Sequence, residues 1–477
     1  MSKKLSPDKI PAQDWQATPE SVRQLVLELL ASIEQLQKEV TKLREQVNQS
    51  SQNSSKPPSS DPPSVKRKPP VKKGQRKRGG QPGHKGKGRR LKPAEEVNRF
   101  VISRPTACGQ CGTLLLGNDP NPSRHQVTEL PRIEAEVIEY QVHCLCCLAC
   151  GEKTRGQWPA EMPSGRFGPR LQATTGYLSG RFGVSRRDTQ EMLETLFQVE
   201  IGLGSIPAQE QRLSQALIKP FQQVHAFLRQ EPRVNVDETS WREENDSIWL
   251  WVGCTPEVAV FLLKQTRGRE GVKSLIGSDY AGVVGSDRWT AYNWLPHKQR
   301  QLCWSHLRRD FQALVDRGGE SAVIGQLLLA QTELMFSLWH RVRDGTLSRP
   351  AFQEMMKPIR REVEGLLQLG LSLVEHAKTQ ATCKNILKRK VALWTFVELE
   401  GIEPTNNAAE RALRRGVIWR KRSFGSQSQA GSRFVERILT AVISLRQQRR
   451  HVLDFLTEAC QAWHSGSAFP SLLPASL

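Results

Sequence analysis

"RVNVDETSW" (233–241) is the stretch on which the fold turns. Val234 and Val236 alternate with polar residues, and Asp237 follows directly. Such β-branched alternation suits a half-buried strand, and it predicts a short strand ending in Asp237. Downstream, "SIWLWVGCT" (247–255) and "VAVFLLKQT" (258–266) are rich in β-branched and aromatic residues and predict two further strands. "GREGVKSLIG" (268–277) has a helical pattern, and "AGVVGSDRWTAY" (281–292) predicts a buried strand ending in Asp287. Three strands, a helix and a fourth strand form an α/β sheet in which the first and fourth strands each end in an acid.

That order matches a ribonuclease-H-like core, in which those two strands lie side by side and their terminal carboxylates share one site. Paired carboxylates repel unless a cation joins them, and hard oxygen ligands select Mg²⁺ or Mn²⁺. Two such ions about 4 Å apart can activate an attacking oxygen and stabilise a leaving one. Two ions call for a third acid, and Glu410 in "EPTNNAAERALRR" (403–415) supplies it. A plainer reading competes, because Asn407-x-x-Glu410 also fits a helix capping box. Between Asp287 and Glu410 the chain is too long for a plain crossover, and its pattern predicts a helical insertion over about 320–399. Glu238 should point to the opposite strand face, Asp279 precedes the fourth strand, and Asp310 suits a surface position.

The 477-residue chain exceeds the usual length of one domain. Its 69 Lys+Arg against 48 Asp+Glu give a net charge of +21, which points to a polyanionic partner, nucleic acid first. No run of about 18 apolar residues predicts a transmembrane helix. "MSKKLSPDKIPAQDW" (1–15) lacks a secretory apolar core. Ten cysteines without an export signal imply a reducing compartment, where paired cysteines bind metal. Val22, Val26, Leu29, Ile33, Leu36, Val40, Leu43 and Val47 form the apolar seam of a coiled-coil zipper over 20–50. Residues 51–96 have the composition of a disordered basic linker. Its Lys66, Arg67, Lys68, Lys72, Lys73, Arg76, Lys77 and Arg78 suit DNA phosphates and release counterions on binding.

"ACGQCG" (107–112) and "HCLCCLACG" (143–151) are two Cys-x-x-Cys knuckles, a strong pattern for one tetrahedral structural zinc. Cys108, Cys111, Cys147 and Cys150 are the expected ligands, and Cys144 offers an alternative pair with Cys147. The module spans 97–160, with "EAEVIEYQVHC" (134–144) expected as a strand between the knuckles. Residues 161–228 are helical by pattern, and 165–215 resemble a helix-turn-helix.

Taken together, the zipper followed by "NSSKPPSSD" (53–61), "GGQPGHKG" (79–86), the paired knuckles, "VDETSW" (236–241), "GSDRWTAY" (285–292), "CWSHLRRDF" (303–311) and "NNAAERALR" (406–414) resemble the transposases of the insertion sequence 66 family. The likeness spans roughly residues 20–450. It departs in Cys144 and Cys146, and in Ser305, where the family motif reads "CWAH". The resemblance implies a DDE transposase with a catalytic domain over 229–450 and a C-terminal helix and tail over 451–477. Asp237, Asp287 and Glu410 would hold two Mg²⁺ or Mn²⁺ ions. Water would cut a phosphodiester of double-stranded DNA at the element end, and the freed 3′-hydroxyl would then attack target DNA. His306 would either touch DNA near the scissile phosphate or act as a structural hydrogen-bonder, and Arg308, Arg309, Arg411, Arg414 and Arg415 would lie near the acids as phosphate clamps or as solvated surface charges. The protein would work in the bacterial cytoplasm at the nucleoid, self-associated, with companion proteins encoded by the same element. Two alternatives share these residues: a zinc-dependent DNA-binding regulator with a dead core, and a structure-specific nuclease.

Overall fold

The computed structural model describes residues 12–48, 90–159, 162–163 and 165–475. The basic cluster from Lys66 to Arg78 lies outside them. Helix α1 (Ala12–Ala17) precedes α2 (Glu20–Asn48). Along α2, the seam residues Leu29, Ile33, Leu36, Val40 and Leu43 are exposed.

A small hairpin, β1 (Cys144–Cys146) with β2 (Lys153–Arg155), is antiparallel with Leu145 opposite Thr154. The strand expected over 134–144 is limited to its last residue, where β1 begins. Alternation alone does not make a strand; a ladder partner must take up its backbone groups, and β2 reaches only Cys144–Cys146.

Helices α3 (Pro169–Tyr177), α4 (Arg186–Phe197), α5 (Ser205–Ala216) and α6 (Ile218–Gln230) follow. A π-helical turn extends α3 to Phe182, and Gly183 closes it at φ 67°. Ser185 then caps α4, its hydroxyl accepting the Asp188 N–H at 3.1 Å. Glycine is suited to this left-handed position.

The central sheet holds β3 (Arg233–Glu243), β4 (Asp246–Cys254), β5 (Ala259–Lys264), β6 (Val283–Ser286) and β7 (Arg300–Leu302), with α7 (Arg269–Ile276) between β5 and β6. Strand order is β5-β4-β3-β6-β7. The β3–β4 and β4–β5 pairs are antiparallel, and the β3–β6 and β6–β7 pairs parallel. Two details differ from the sequence reading. β3 does not end at Asp237 but continues to Glu243, because β4 pairs with it along Asn235–Glu243. The three residues of β7, "RQL", carry no readable alternation, so the sequence pattern does not announce this strand.

Helices α8 (Trp304–Asp316), α9 (Gly319–Arg343), α10 (Arg349–Ser372), α11 (Ala377–Leu387) and α12 (Thr395–Glu398) follow β7 and build their own apolar core around Trp304, Phe352, Trp394 and Phe396. α9 is long and apolar enough to cross a membrane by length and composition. Ile324, Leu328, Met335 and Leu338 on it are buried in that helical core.

The chain then returns to the sheet through α13 (Asn407–Ser423), α14 (Gln429–Gln447) and α15 (Val452–Ser465). α13 covers one sheet face through Ala409, Ala412 and Leu413. α14 closes the open edge. Its Glu436, Thr440 and Ser444 accept the N–H groups of Leu263, Phe261 and Ala259 at 2.6, 3.0 and 3.0 Å. Helical steps of four residues thus meet strand steps of two, and the exposed ladder of β5 is satisfied by side chains.

Candidate active site

Asp237 and Asp287 meet where β3 and β6 part. The parallel pairing runs from Arg233–Val283 to Asn235–Gly285. Asp237 lies two residues beyond it on β3, and Asp287 follows the last residue of β6. The Glu238 N–H donates to Asp237 Oδ1 at 3.0 Å, and the Trp289 N–H donates to Asp287 Oδ1 at 2.8 Å. Burial holds the Asp237 carboxyl well above the usual range, and the charges of Glu238, Asp287 and Glu410 push the same way. Asp287 is also raised by burial, against the Trp289 N–H and the charges of Arg267, Arg300 and Arg288. These acids feel one another in a site largely withdrawn from water.

Glu410 is not a capping residue. The N-cap of α13 is Asn406, one position before the place that a box with Glu410 at N3 requires. The Glu410 N–H donates to the Asn406 carbonyl at 3.2 Å, and the side-chain Oε1 is buried without a hydrogen-bond partner. Burial raises the Glu410 carboxyl, the charges of Arg309, Arg411 and Arg414 lower it, and Asp287 raises it. Asn406 is completely buried. Its Nδ2 donates to the carbonyl of Val236, next to Asp237, at 2.8 Å, and its N–H donates to Cys303 Sγ at 3.1 Å. This residue therefore fixes the start of α13 against β3 and α8, and with it the position of Glu410 relative to Asp237.

A second ring of polar groups surrounds the acids. Glu238 occupies the buried face of β3, accepting from Arg267 Nε and Tyr292 Oη at 2.9 Å each. Its charge nevertheless reaches Asp237 and Asp287. Arg267 stacks on Trp289 at 4.0 Å and on Trp249 at 4.7 Å. Asp310 is not a surface acid; it is half-buried and pairs with Arg288 at 2.8 Å. These partners are 22 to 54 positions apart, so no local spacing announces them.

His306 sits on the first turn of α8, with Nδ1 3.6 Å from Glu410 Oε1. Burial, aided by Arg309 and Arg288, pushes its imidazole down to about 3, so it is neutral. Burial pushes the Cys303 thiol up to about 11. Among the described residues, Cys303, His306 and Glu410 form the single group of three such side chains whose ligand atoms all lie within 4.8 Å. Asp237, Asp287 and Glu410 are thus more widely spread. Of the expected phosphate contacts, Arg309, Arg411 and Arg414 bear on Glu410. Arg308 instead pairs with Glu333 at 3.5 Å on the surface. Arg415 belongs to a separate cationic cluster with Arg181, Arg422 and Arg446.

Residues 164–433, which contain all three acids, match the family model described as Transposase IS66 family. The chain belongs to this family. Residues 8–90 match a second model, described as a family of unknown function (DUF6444). Two proteins of Sinorhizobium fredii (strain NBRC 101917 / NGR234) are similar. Uncharacterized protein y4hP is 25% identical over 389 residues, covering 74% of this chain and 69% of that protein. Uncharacterized protein y4qI is 26% identical over 279 residues, covering 52% and 51%.

The cysteine knuckles of this transposase-family chain lie between the two matched segments. In each, the glycine after the second cysteine takes a left-handed conformation, Gly112 at φ 73° and Gly151 at φ 75°. The Gly112 N–H returns to the Cys108 carbonyl and the Gly151 N–H to the Cys147 carbonyl, closing two equivalent turns. Hydrogen bonds from Thr113 bring the Cys111 thiol down to about 7, and backbone N–H groups of Cys150 and Ala149 lower Cys147. Low thiol values favour thiolate ligands. The two pairs do not draw together into one cluster within 4.8 Å.

Proposed function

We propose that this member of the transposase family is a DDE recombinase that cuts DNA at the ends of its element and joins them to a target. The observation that carries the reading is the convergence of Asp237, Asp287 and Glu410: burial raises all three carboxyls, the charges of Asp287 and Glu410 raise Asp237 further, and Asp287 also raises Glu410. Like charges held together in a buried site fit hard divalent cations. The buried, unpartnered Oε1 of Glu410 fits the same role. Mg²⁺ or Mn²⁺, two when fully loaded, would supply activation of the attacking oxygen and stabilisation of the leaving one.

The chain's own groups do the rest. Asp237 on β3, Asp287 at the end of β6, and Glu410, fixed through Asn406, would hold the ions. Arg309, Arg411 and Arg414 clamp the phosphate oxygens. Water is the first nucleophile and the freed 3′-hydroxyl the second. The strand order β5-β4-β3-β6-β7, with β4 antiparallel to β3, supports a ribonuclease-H-like core over 229–450 interrupted by a helical insertion.

Around this core, the knuckle turns support one structural zinc on Cys108, Cys111, Cys147 and Cys150. The exposed seam of α2 supports self-association, and the basic arm 66–78 supports sequence-independent hold on double-stranded DNA. Action at the bacterial nucleoid, with companion proteins of the same element, follows from the same reading. The test is purified full-length protein with Mn²⁺ or Mg²⁺ and duplex DNA carrying the native element ends, scored for nicking and joining. Nicking without joining would indicate a nuclease, and neither would indicate a DNA-binding regulator.

A further inference from the structure

We infer that Cys303, His306 and Glu410 form a site for a borderline-soft cation, zinc above all, whose occupancy withdraws Glu410 from the acidic triad. The inhibition, though not the binding, rests on the function proposed above. Cys303 and His306 are three residues apart, at the N-cap and first turn of α8, and both meet the start of α13, Cys303 through the Asn406 N–H and His306 beside Glu410. Their ligand atoms and a Glu410 oxygen all lie within 4.8 Å of one another, and His306 Nδ1 is 3.6 Å from Glu410 Oε1. Tetrahedral zinc with sulfur, nitrogen and oxygen ligands needs about 3.5 Å between them, so the closure required is about 1 Å.

An independent observation points the same way. His306 Nδ1 and Glu410 Oε1 are buried without hydrogen-bond partners, and so is Oδ1 of Asn406, whose N–H meets Cys303 Sγ. Buried polar groups are almost always satisfied, and three orphans at one junction mark a place for a ligand. The donor set decides its chemistry. Sulfur and imidazole select zinc over magnesium, whereas the three acids select magnesium. Glu410 is shared, so the two kinds of ion compete for one carboxylate. On binding, the Cys303 thiol releases its proton to solvent, and the Asn406 N–H is already placed to donate to the resulting thiolate.

The test compares the full-length parent with Cys303→Ala and His306→Ala, each equilibrated with buffered zinc and analysed for metal content. Thermal melting in the absence of added zinc is the folding control. The parent is expected to hold one equivalent more than either variant. After cobalt(II) exchange, the parent-minus-Cys303→Ala spectrum should show a thiolate-to-cobalt charge-transfer band, which the knuckle cysteines, present in both proteins, cannot supply. Equal metal content and a flat difference spectrum would overturn the site. His306 is partly exposed, so its variant keeps the comparison valid where Cys303→Ala folds poorly. In the second arm, zinc added to Mg²⁺-supported cleavage should slow the parent at least tenfold and slow the residual activity of His306→Ala less. Binding without such inhibition would overturn the competition and leave a structural ion. Should no protein cleave DNA at all, the proposed function fails, and metal content alone decides the site.

Discussion

Glu410→Gln separates the two roles a carboxylate could have at the start of α13. The change keeps shape and removes charge. The helix is capped by the Asn406 backbone, and Glu410 Oε1 makes no hydrogen bond, so no cap is broken. Burial and the Asp287 charge together disfavour the ionised carboxylate more than Arg309, Arg411 and Arg414 favour it. Neutralising it should leave unfolding free energy unchanged or raise it. With the side chain 40% exposed, solvent screening keeps that gain below about 1 kcal/mol. Catalysis should respond differently. Loss of one anionic ligand removes transition-state stabilisation of about 4 kcal/mol, close to the upper end for a single preorganised electrostatic group. At about 1.4 kcal/mol per decade, this is about a thousandfold in rate. The assay is element-end cleavage in Mg²⁺ and in Mn²⁺, with melting temperature and DNA affinity measured on the same preparations. Cleavage within tenfold of the parent would refute the metal-ligand role, as would a loss of activity that merely follows a loss of fold.

The other expectations concern separate parts of the molecule. Asp237 has a folded-state pKa above its unfolded value, so its contribution to the metal-free protein is present at low pH and lost as pH rises through the raised value. Asp237→Asn should therefore flatten the fall in melting temperature on that rise, and Mg²⁺ should stabilise the parent only at the high-pH end; identical pH profiles for parent and variant would contradict this. Thr440→Val leaves the buried Phe261 N–H without its acceptor and should cost about 1–3 kcal/mol in denaturant unfolding. Serine at Cys108, Cys111, Cys147 or Cys150 should each remove one zinc by elemental analysis and destabilise only the module around it. Deleting residues 1–92 should flatten the salt dependence of DNA affinity and reduce self-association in sedimentation, since it removes 13 clustered cations and the seam of α2.

Local pattern carried much of this protein. Alternation over 233–241 marked β3, because side chains on a half-buried strand must alternate between core and solvent, and the β-branched and aromatic runs 247–255 and 258–266 marked the buried β4 and β5. Asp287 could be placed at a strand end from "VVGSD" alone. A glycine follows each knuckle in the sequence, and it suits the left-handed turn found there, since few other residues adopt that conformation without strain. What pattern could not supply was the meeting of groups distant in sequence. Whether Glu410 caps its helix depends on where α13 begins, and Asn406 decides that through bonds to β3 and α8 that lie 170 and 103 positions away. The buried ring of Glu238, Arg267 and Tyr292 and the Arg288–Asp310 pair are likewise products of packing. So is the polar stripe of α14, which in sequence merely weakens an apolar helix and in the fold completes the edge of the sheet. Sequence periodicity reports which face of an element is buried; only the tertiary structure decides which polar group across the interface each buried donor and acceptor will find.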